Sequence, residues 1–209
     1  MVVLWMPILN CGKDPTINHL FVANKAIKKL KGTRLSVCFP NLGDVNKLRV
    51  IAYSDAAHAN LPSGASQGGA IIFLAGNSRV APITWQSKKL DRVTKSPLGA
   101  ETMALAEAAD TSVLIVKMVE EICKTSLPPV TCLTDSQSLV DHISTSHVIQ
   151  DKRLRIDIAR LREMVELKEI CCEWISKEYQ LADSLTKAGA SSKKLVDALQ
   201  TGRLPMAVC

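Results

Sequence analysis

The pattern of apolar and polar residues predicts an α/β domain whose first half is a run of strands. Three stretches between residues 48 and 87 are rich in apolar and β-branched residues, and glycine or asparagine separates them, as in an antiparallel meander. Ser96 and Pro97 then supply an N-cap and a first-turn proline, which predict a long helix ending near Cys123. The predicted strands are Leu48–Ser54, Gly69–Leu74, Val80–Ser87, Val130–Thr134 and Ile170–Ile175, and the later helices are Ser136–Ser144, Arg155–Leu167 and Gln180–Leu199, the last interrupted near Gly189.

The order of these elements predicts the fold class and the domain limits. Three strands, a helix, a strand, helices, a strand and a helix make an α/β fold with a five-stranded mixed sheet flanked by helices. Before them, a helix opened by Pro15 and stopped by Gly32 leads into the turn-rich linker Pro40–Asn46. We therefore expect an N-terminal extension over residues 1–46, a main domain over 47–200 and a tail over 201–209.

The positive charge of the chain favours a polyanionic partner. The formal net charge is +6 and the isoelectric point is about 9.0, and each lysine or arginine placed on a phosphate releases condensed counterions. A solvated basic surface explains the same numbers, so the charge alone does not decide. One loop concentrates cations, and we expect Lys88, Lys89, Arg92 and Lys95 to contact phosphates.

The cysteines and the apolar segments exclude other classes of protein. The seven cysteines are odd in number and form no C-x-x-C pair, so neither a disulfide framework nor a zinc site is indicated. Adjacent Cys171 and Cys172 fit a strand of reduced thiols in a reducing compartment. The apolar run Met1–Leu9 is too short to span a membrane and lacks a basic leader. We expect an intracellular protein with no membrane partner.

Four acidic residues occupy positions where one sheet can bring carboxylates together. Asp55 and Asp135 are expected at strand ends, and Glu101 and Asp183 in the first turns of helices. Each alone could be an N-cap, a turn residue or a favourable charge at a helix start. Clustered carboxylates repel one another, and a hard divalent cation is the natural compensation. Two Mg²⁺ ions about 4 Å apart are how such a cluster cleaves a phosphodiester.

Six short motifs stand in a fixed order on these predicted elements. They are Tyr53-Ser54-Asp55-Ala56-Ala57, Gln67-Gly68-Gly69-Ala70-Ile71-Ile72, Trp85-Gln86-Ser87-Lys88-Lys89, Gly99-Ala100-Glu101-Thr102-Met103-Ala104-Leu105, Thr134-Asp135-Ser136-Gln137 and Gln180-Leu181-Ala182-Asp183-Ser184-Leu185-Thr186-Lys187. Each motif is weak alone, but the ordered set is specific. Together they make the chain resemble a known family, the ribonuclease H domain of copia-type retrotransposon polyproteins, over about residues 15–200.

The resemblance implies a nuclease that cuts the RNA strand of an RNA–DNA hybrid. Its catalytic residues would be Asp55, Glu101, Asp135 and Asp183, holding two Mg²⁺ or Mn²⁺ ions. Asp55 would bridge both ions, with Glu101 and Asp135 on one and Asp183 on the other. Gln137 would reach the minor groove of the hybrid, where ribose 2′-hydroxyls distinguish RNA from DNA.

The resemblance also implies a larger context. Cleavage by metal-activated water would leave 3′-hydroxyl and 5′-phosphate ends. The parent polyprotein would carry a reverse-transcriptase domain, whose palm motif is absent from this chain. The expected location is the cytoplasm, virus-like particles or the nucleus.

The chain departs from relatives of this fold in ways that leave alternatives open. The loop Ser176–Tyr179 lacks the histidine that many relatives carry before the fourth acid, which puts the rate in question. Pro97 and Leu98 replace polar residues that help to hold the hybrid in some relatives. His58 lies near Asp55 in sequence, whereas His19, His142 and His147 are expected at the surface. Two other functions remain: a catalytically silent binding or assembly remnant of the fold, and another nuclease of the superfamily, such as an integrase or a resolvase.

Overall fold

The computed structural model describes residues 16–32, 36–61, 64–145, 149–187 and 189–205, with the side chain of Leu30 left out. The expectations for Met1–Leu9, Pro15 and His147 lie outside these residues. The described helices are α1 (Ile17–Gly32), α2 (Pro97–Cys123), α3 (Gln137–Ser144), α4 (Lys152–Glu166), α5 (Asp183–Thr186) and α6 (Lys193–Thr201), and the strands are β1 (Arg49–Ala57), β2 (Gln67–Gly76), β3 (Arg79–Lys89), β4 (Val130–Thr134) and β5 (Ile170–Trp174).

The five strands form one mixed sheet in the order β3-β2-β1-β4-β5. Strands β1, β2 and β3 are antiparallel neighbours, and β4 and β5 run parallel to β1. This arrangement confirms the predicted fold class. The carboxyl ends of β1 and β4 therefore lie side by side at one edge of the sheet, which is where the chain leaves both strands.

Helices cover both faces of the sheet, so β1 is buried from both sides. Val50 and Ala52 belong to one core, which contains side chains of α2 and α4. Ile51 and Tyr53 belong to the other core, against α5 and α6. A strand with this environment has no polar face, which explains the nearly continuous apolar run in its sequence.

Three expectations about local structure were wrong. Strand β1 does not end before Asp55 but continues to Ala57, and Asp55 pairs with Gly69 across the antiparallel ladder. The expected C-terminal helix is interrupted around Gly189 as predicted, but its first part is only the four-residue helix α5, preceded by a 3₁₀ turn at Lys177–Tyr179, and α6 begins at Lys193. Glu101 is the fifth residue of α2 and so lies just beyond the first turn in which it was expected, although Ser96 caps the helix and Pro97 begins it as predicted.

The segment before β1 packs on the C-terminal helix. The backbone N–H of Cys38 donates a hydrogen bond to the carbonyl of Leu199 at 2.7 Å. A Cβ on Gly202 would lie 2.9 Å from Pro40 Cγ, so these two stretches touch closely. The division of the chain at residue 46 stays a prediction.

Five of the seven cysteines lie in the described residues. Cys38, Cys123, Cys132, Cys171 and Cys172 are free thiols. Within the residues that the structure describes, no helix is long and apolar enough to cross a membrane.

Candidate functional site

Three of the four predicted acids meet at one edge of the sheet. Asp55 on β1, Glu101 on α2 and Asp135 just after β4 each offer a carboxylate oxygen, and these oxygens lie within 4.8 Å of one another. Asp55 is completely buried, whereas Glu101 and Asp135 are partly exposed at the mouth of the group. We call these three residues the acidic pocket. The parallel pairing of β1 with β4 brings Asp55 and Asp135 side by side, and α2 adds Glu101.

Two adjacent glycines in β2 let neighbouring elements approach the acidic pocket. Gly69 lies opposite Asp55 in the ladder, and a Cβ on Gly69 would come within 2.7 Å of Thr186 Cγ2. A Cβ on Gly68, on the other face, would come within 2.5 Å of Leu90 Cδ2. The absence of side chains at these positions is what allows such close packing. Gly69 therefore lets α5 lie next to Asp55, and Gly68 makes room for Leu90 on the opposite face.

The carboxyl group of Glu101 is the most perturbed acid of the pocket. Burial, followed by the charges of Asp55 and Asp135, raises its pKa to about 8, although Lys187 and the backbone N–H of Ala56 oppose the shift. Its Oε2 atom is buried and has no hydrogen-bond partner among the described residues. A buried carboxylate oxygen without a partner is unfavourable, and a bound cation would relieve that cost.

Asp55 is held from the side of the C-terminal helices. Its Oδ2 accepts a short hydrogen bond from the Thr186 hydroxyl, and its Oδ1 lies 3.3 Å from the Lys187 ammonium. Burial raises the pKa of Asp55, and the contacts with Thr186 and Lys187 lower it. The charges of Asp135 and Asp183 raise it again, and the net result is a pKa above the ordinary value. The net effect is an acid that is costly to ionise without a cation.

Asp183, the fourth predicted acid, does not join the group of three. It is the first residue of the short helix α5 and is partly buried. Its Oδ1 lies 2.5 Å from Lys187 Nζ, and the same ammonium reaches Asp55. Asp183 is therefore connected to the acidic pocket through a lysine.

Several residues that support the pocket were not predicted as site residues from the sequence. The buried Gln180 donates from Nε2 to the carbonyl of Ser54 at 2.9 Å, which ties the C-terminal segment to β1 beside Asp55. The indole of Trp174 donates to the carbonyl of Asp135 at 3.2 Å. For Lys187, a lysine four residues after Asp183 was a visible signal. For Gln180 and Trp174, no local sequence pattern predicts the contact, because each joins segments that are far apart in the chain.

The structure pairs most cations of the predicted phosphate-binding loop with acids. We call Lys88, Lys89, Arg92 and Lys95 the basic loop, although the expectation that all four lie in a loop was wrong: β3 continues beyond Ser87, and Lys88 and Lys89 are its last two residues. Among the described residues, three of its members form ion pairs and Lys89 has no acid at ion-pair distance. The pairs are Lys88 Nζ to Glu107 Oε2 at 3.2 Å, Arg92 to both carboxylate oxygens of Asp157 at 2.7 and 2.9 Å, and Lys95 Nζ to Asp151 Oδ2 at 3.4 Å.

The remaining candidates lie at the surface or in a structural contact. Gln137 is exposed at the start of α3 and donates to Asp141 Oδ1, one turn along the helix, at 2.8 Å. His58 donates from Nε2 to the carbonyl of Thr94 at 3.1 Å, which anchors the end of the basic loop to the chain after β1. His58 therefore has a structural partner and is not part of the group of carboxylates.

Comparison with solved structures identifies the fold as that of ribonuclease H. The ribonuclease H1 of Halobacterium salinarum NRC-1 superposes with a TM-score of 0.51 and 21% identity, over 66% of this chain and 94% of that one. An N-terminal ribonuclease H domain from Mycobacterium tuberculosis, solved as a fusion with maltose binding protein, gives 0.51 and 19%, over 66% and 91%. At these identities the likeness concerns the fold alone.

Comparison of sequences gives the nearer relationship. The retrovirus-related Pol polyproteins from transposons RE1 and RE2 of Arabidopsis thaliana are homologues, each 28% identical over 182 residues. The match covers 83% of this chain and 12% of each relative, so the chain spans about an eighth of their length. No protein-family model matches the chain. The relationship to retrotransposon polyproteins that the motifs predicted is thereby confirmed.

Proposed function

We propose that this chain is the ribonuclease H segment of a copia-type retrotransposon polyprotein, and that it cleaves the RNA strand of RNA–DNA hybrids with the help of divalent metal ions. The observation that carries the proposal is the acidic pocket: Asp55, Glu101 and Asp135 converge at the sheet edge of a ribonuclease H fold. Homology to two transposon Pol polyproteins supports the source, and the parent polyprotein would also carry a reverse transcriptase.

The donors in the acidic pocket fit a hard divalent cation. All three ligands are carboxylates, and oxygen donors are the ones that Mg²⁺ and Mn²⁺ prefer. Glu101 Oε2 is buried without a hydrogen-bond partner among the described residues, so an oxygen in the pocket is left for an ion. Asp55, Glu101 and Asp135 would hold one ion, and Asp183 with Asp55 a second. Such ions supply charge stabilisation at the phosphate and an activated water.

The side chains of the pocket have separate tasks in this proposal. Asp55 is fixed by Thr186 and Lys187 and has little freedom to rotate, so it presents its carboxylate in one orientation. Trp174 holds the backbone carbonyl of Asp135, which fixes the turn after β4. Glu101 has a pKa of about 8 and therefore keeps its proton at neutral pH until a cation displaces it.

The hybrid would lie across the sheet edge and contact the surfaces on either side of it. Phosphates would be bound by the basic loop, with Lys89 contributing most because it has no acidic partner among the described residues. Gln137 is exposed two residues after Asp135, and we assign it to the minor groove of the hybrid. These contacts position the substrate, and the 2′-hydroxyls of the RNA strand give the selectivity.

Strand-specific cleavage tests the proposal. The purified chain is incubated with an RNA–DNA hybrid labelled on either strand, with duplex RNA and with duplex DNA, with and without Mn²⁺ or Mg²⁺. We expect metal-dependent cleavage of the RNA strand of the hybrid, with 3′-hydroxyl and 5′-phosphate ends, and no cleavage of either duplex control.

The same assay separates the alternatives. A folded protein that binds hybrid but cleaves nothing at any metal concentration is the silent remnant, and the proposal is then wrong. Cleavage of duplex DNA in preference to hybrid indicates a different nuclease of the superfamily. Circular dichroism of the same sample shows whether the protein is folded, so that a lack of cleavage is not mistaken for a lack of structure.

A further inference from the structure

Lys187 lies between Asp55 and Asp183, where no sequence expectation placed a cation. Its Nζ is 2.5 Å from Asp183 Oδ1 and 3.3 Å from Asp55 Oδ1. The side chain is 36% exposed, whereas that of Asp55 is completely buried. The ammonium group therefore contacts both carboxylates, and its side chain is partly exposed to solvent.

Thr186 and Lys187 together contact both carboxylate oxygens of Asp55. The Thr186 hydroxyl donates to Oδ2, and Lys187 faces Oδ1. Thr186 is completely buried against β2, because Gly69 leaves room for it. Thr186 at the end of α5 and the following Lys187 thus bring a hydroxyl and a positive charge to Asp55. Asp55 belongs both to the side of the site that contains Glu101 and Asp135 and to the side that contains Asp183.

The charges are distributed unequally between the Glu101–Asp135 side of the site and the Asp183 side. On the side of Glu101 and Asp135, the carboxylates face one another, and Glu101 Oε2 has no hydrogen-bond partner among the described residues. On the side of Asp183, the ammonium group neutralises part of the charge of both acids that it touches. A divalent ion gains more binding free energy in a region of uncompensated negative charge than in a region that already holds a cation.

We propose that Lys187 is a built-in cation of the site, which holds Asp55 and Asp183 together and makes binding of divalent ions sequential. The first ion enters the acidic pocket, and a second ion can bind between Asp55 and Asp183 only when the ammonium group moves away. Lys187 is a positioning residue in this account, because it acts through the two carboxylates. The inference rests on the metal site of the proposed function.

Counting bound ions tests this inference without any measurement of activity. Mn²⁺ is titrated into the metal-free protein, and bound and free ions are separated by electron paramagnetic resonance. For the wild type we expect one ion to bind first and a second only at a Mn²⁺ concentration that is at least roughly tenfold higher, because the two sites differ by a competing unit charge. Lys187→Met should bring the two affinities together.

Lys194→Met is the matched control. Lys194 also makes an ion pair in the C-terminal region, with Glu178 Oε1 at 2.9 Å, and its side chain is 38% exposed, close to the value for Lys187. Removing it changes the net charge equally but leaves the carboxylates of the site untouched. Lys187→Arg is the second control, because it keeps the positive charge and should keep the weak second site.

The outcomes are separable. A second site that tightens in Lys187→Met but not in Lys194→Met or Lys187→Arg supports the inference. If the second ion binds to the wild type and to Lys187→Met with equal affinity, the inference is wrong and the proposed function still stands. A wild-type protein that binds no Mn²⁺ overturns both.

A measurement on the wild type covers the case in which Lys187→Met does not fold. With ¹³C-labelled lysine, the Lys187 side-chain signal should shift during the second phase of a Mg²⁺ titration, and no response in that phase would also overturn the inference.

Discussion

The acidic pocket and the basic loop are both groups of like charge, but the structure pairs most members of only one of them with opposite charges. In the basic loop, three of the four cations find an acid on α2 or in the α4 region, for example Arg92 with Asp157. In the acidic pocket, three carboxylates face one another, and Lys187 touches Asp55 alone among them. A compensated cluster is explained by the fold, whereas an uncompensated one points to a ligand that is not part of the chain.

The difference also separates stability from function. An exposed ion pair such as that of Lys95 contributes between about 0 and 1 kcal/mol. A buried carboxylate oxygen without a partner, such as Glu101 Oε2, costs folding free energy, and proteins retain such groups where function needs them. We therefore expect substitutions in the acidic pocket to change activity greatly, and substitutions in the basic loop to have graded, small effects.

The largest expected effect is on catalysis. Asp135→Asn removes a carboxylate ligand and keeps the shape of the side chain, so it should reduce hybrid cleavage at least about a hundredfold while hybrid binding stays largely intact. Asp110→Asn is the control, since Asp110 makes an exposed ion pair with Arg160 on the surface. Single-turnover cleavage measures the difference. Full activity of the Asp135→Asn variant would remove Asp135 from the site.

A smaller effect is expected on stability. Glu101→Gln removes a buried charge that faces two other carboxylates, so the metal-free variant should be more stable than the wild type, by about 1–3 kcal/mol at pH 8. The stabilisation that Mg²⁺ gives the wild type should be reduced in the variant. Thermal melts of both proteins with and without Mg²⁺ measure this. A variant that is less stable without metal, with an unchanged response to Mg²⁺, would mean that Glu101 is an ordinary structural residue.

The stability of the metal-free protein should also depend on pH in a defined direction. The pKa of Glu101 is about 8 in the folded protein against an ordinary value of 4.5, so between these values the folded state holds a proton that the unfolded state has lost. Stability should therefore fall as pH rises from about 4.5 to about 8, and this contribution should level off above. Denaturant unfolding at several pH values measures the slope. The slope should be reduced in Glu101→Gln, and an equal slope in both proteins would contradict the assignment.

The smallest expected effect distinguishes members of the basic loop from one another. Lys89→Met should weaken hybrid binding about threefold and lower the salt dependence by about one phosphate contact. Arg92→Met should have a smaller effect, because its guanidinium is already held by both oxygens of Asp157. Fluorescence anisotropy at several salt concentrations compares the two. A larger effect for Arg92 would show that ion pairing does not withhold a cation from the hybrid.

The sequence predicted the order of the elements and the sheet, because apolar periodicity and the Ser96-Pro97 signal are local. It did not predict the end of β1, because Asp55 continues a strand that its pairing with β2 extends to Ala57. It also misjudged the C-terminal helix. Gln180 and Thr186 make contacts with β1 in place of a regular helix, and such long-range contacts leave no periodic signature.

The candidate site was predicted in the same uneven way. The grouping of Asp55, Glu101 and Asp135 was expected from their places on the elements, and the structure brings them together. The position of Lys187 between Asp55 and Asp183 was not expected, because it depends on how closely α5 approaches β2 over Gly69. The sequence also did not predict which cations of the basic loop form ion pairs, because the acids involved come from distant helices.

The claim that the uncompensated carboxylates bind a divalent ion can be tested most directly by locating that ion. Fe²⁺ is bound in place of Mg²⁺, ascorbate and peroxide are added to generate hydroxyl radicals at the ion, and the cut positions of the chain are read by mass spectrometry. The account predicts cuts near Asp55, Glu101 and Asp135 that excess Mg²⁺ suppresses. Cuts that are scattered over the chain, or that Mg²⁺ does not suppress, would contradict it.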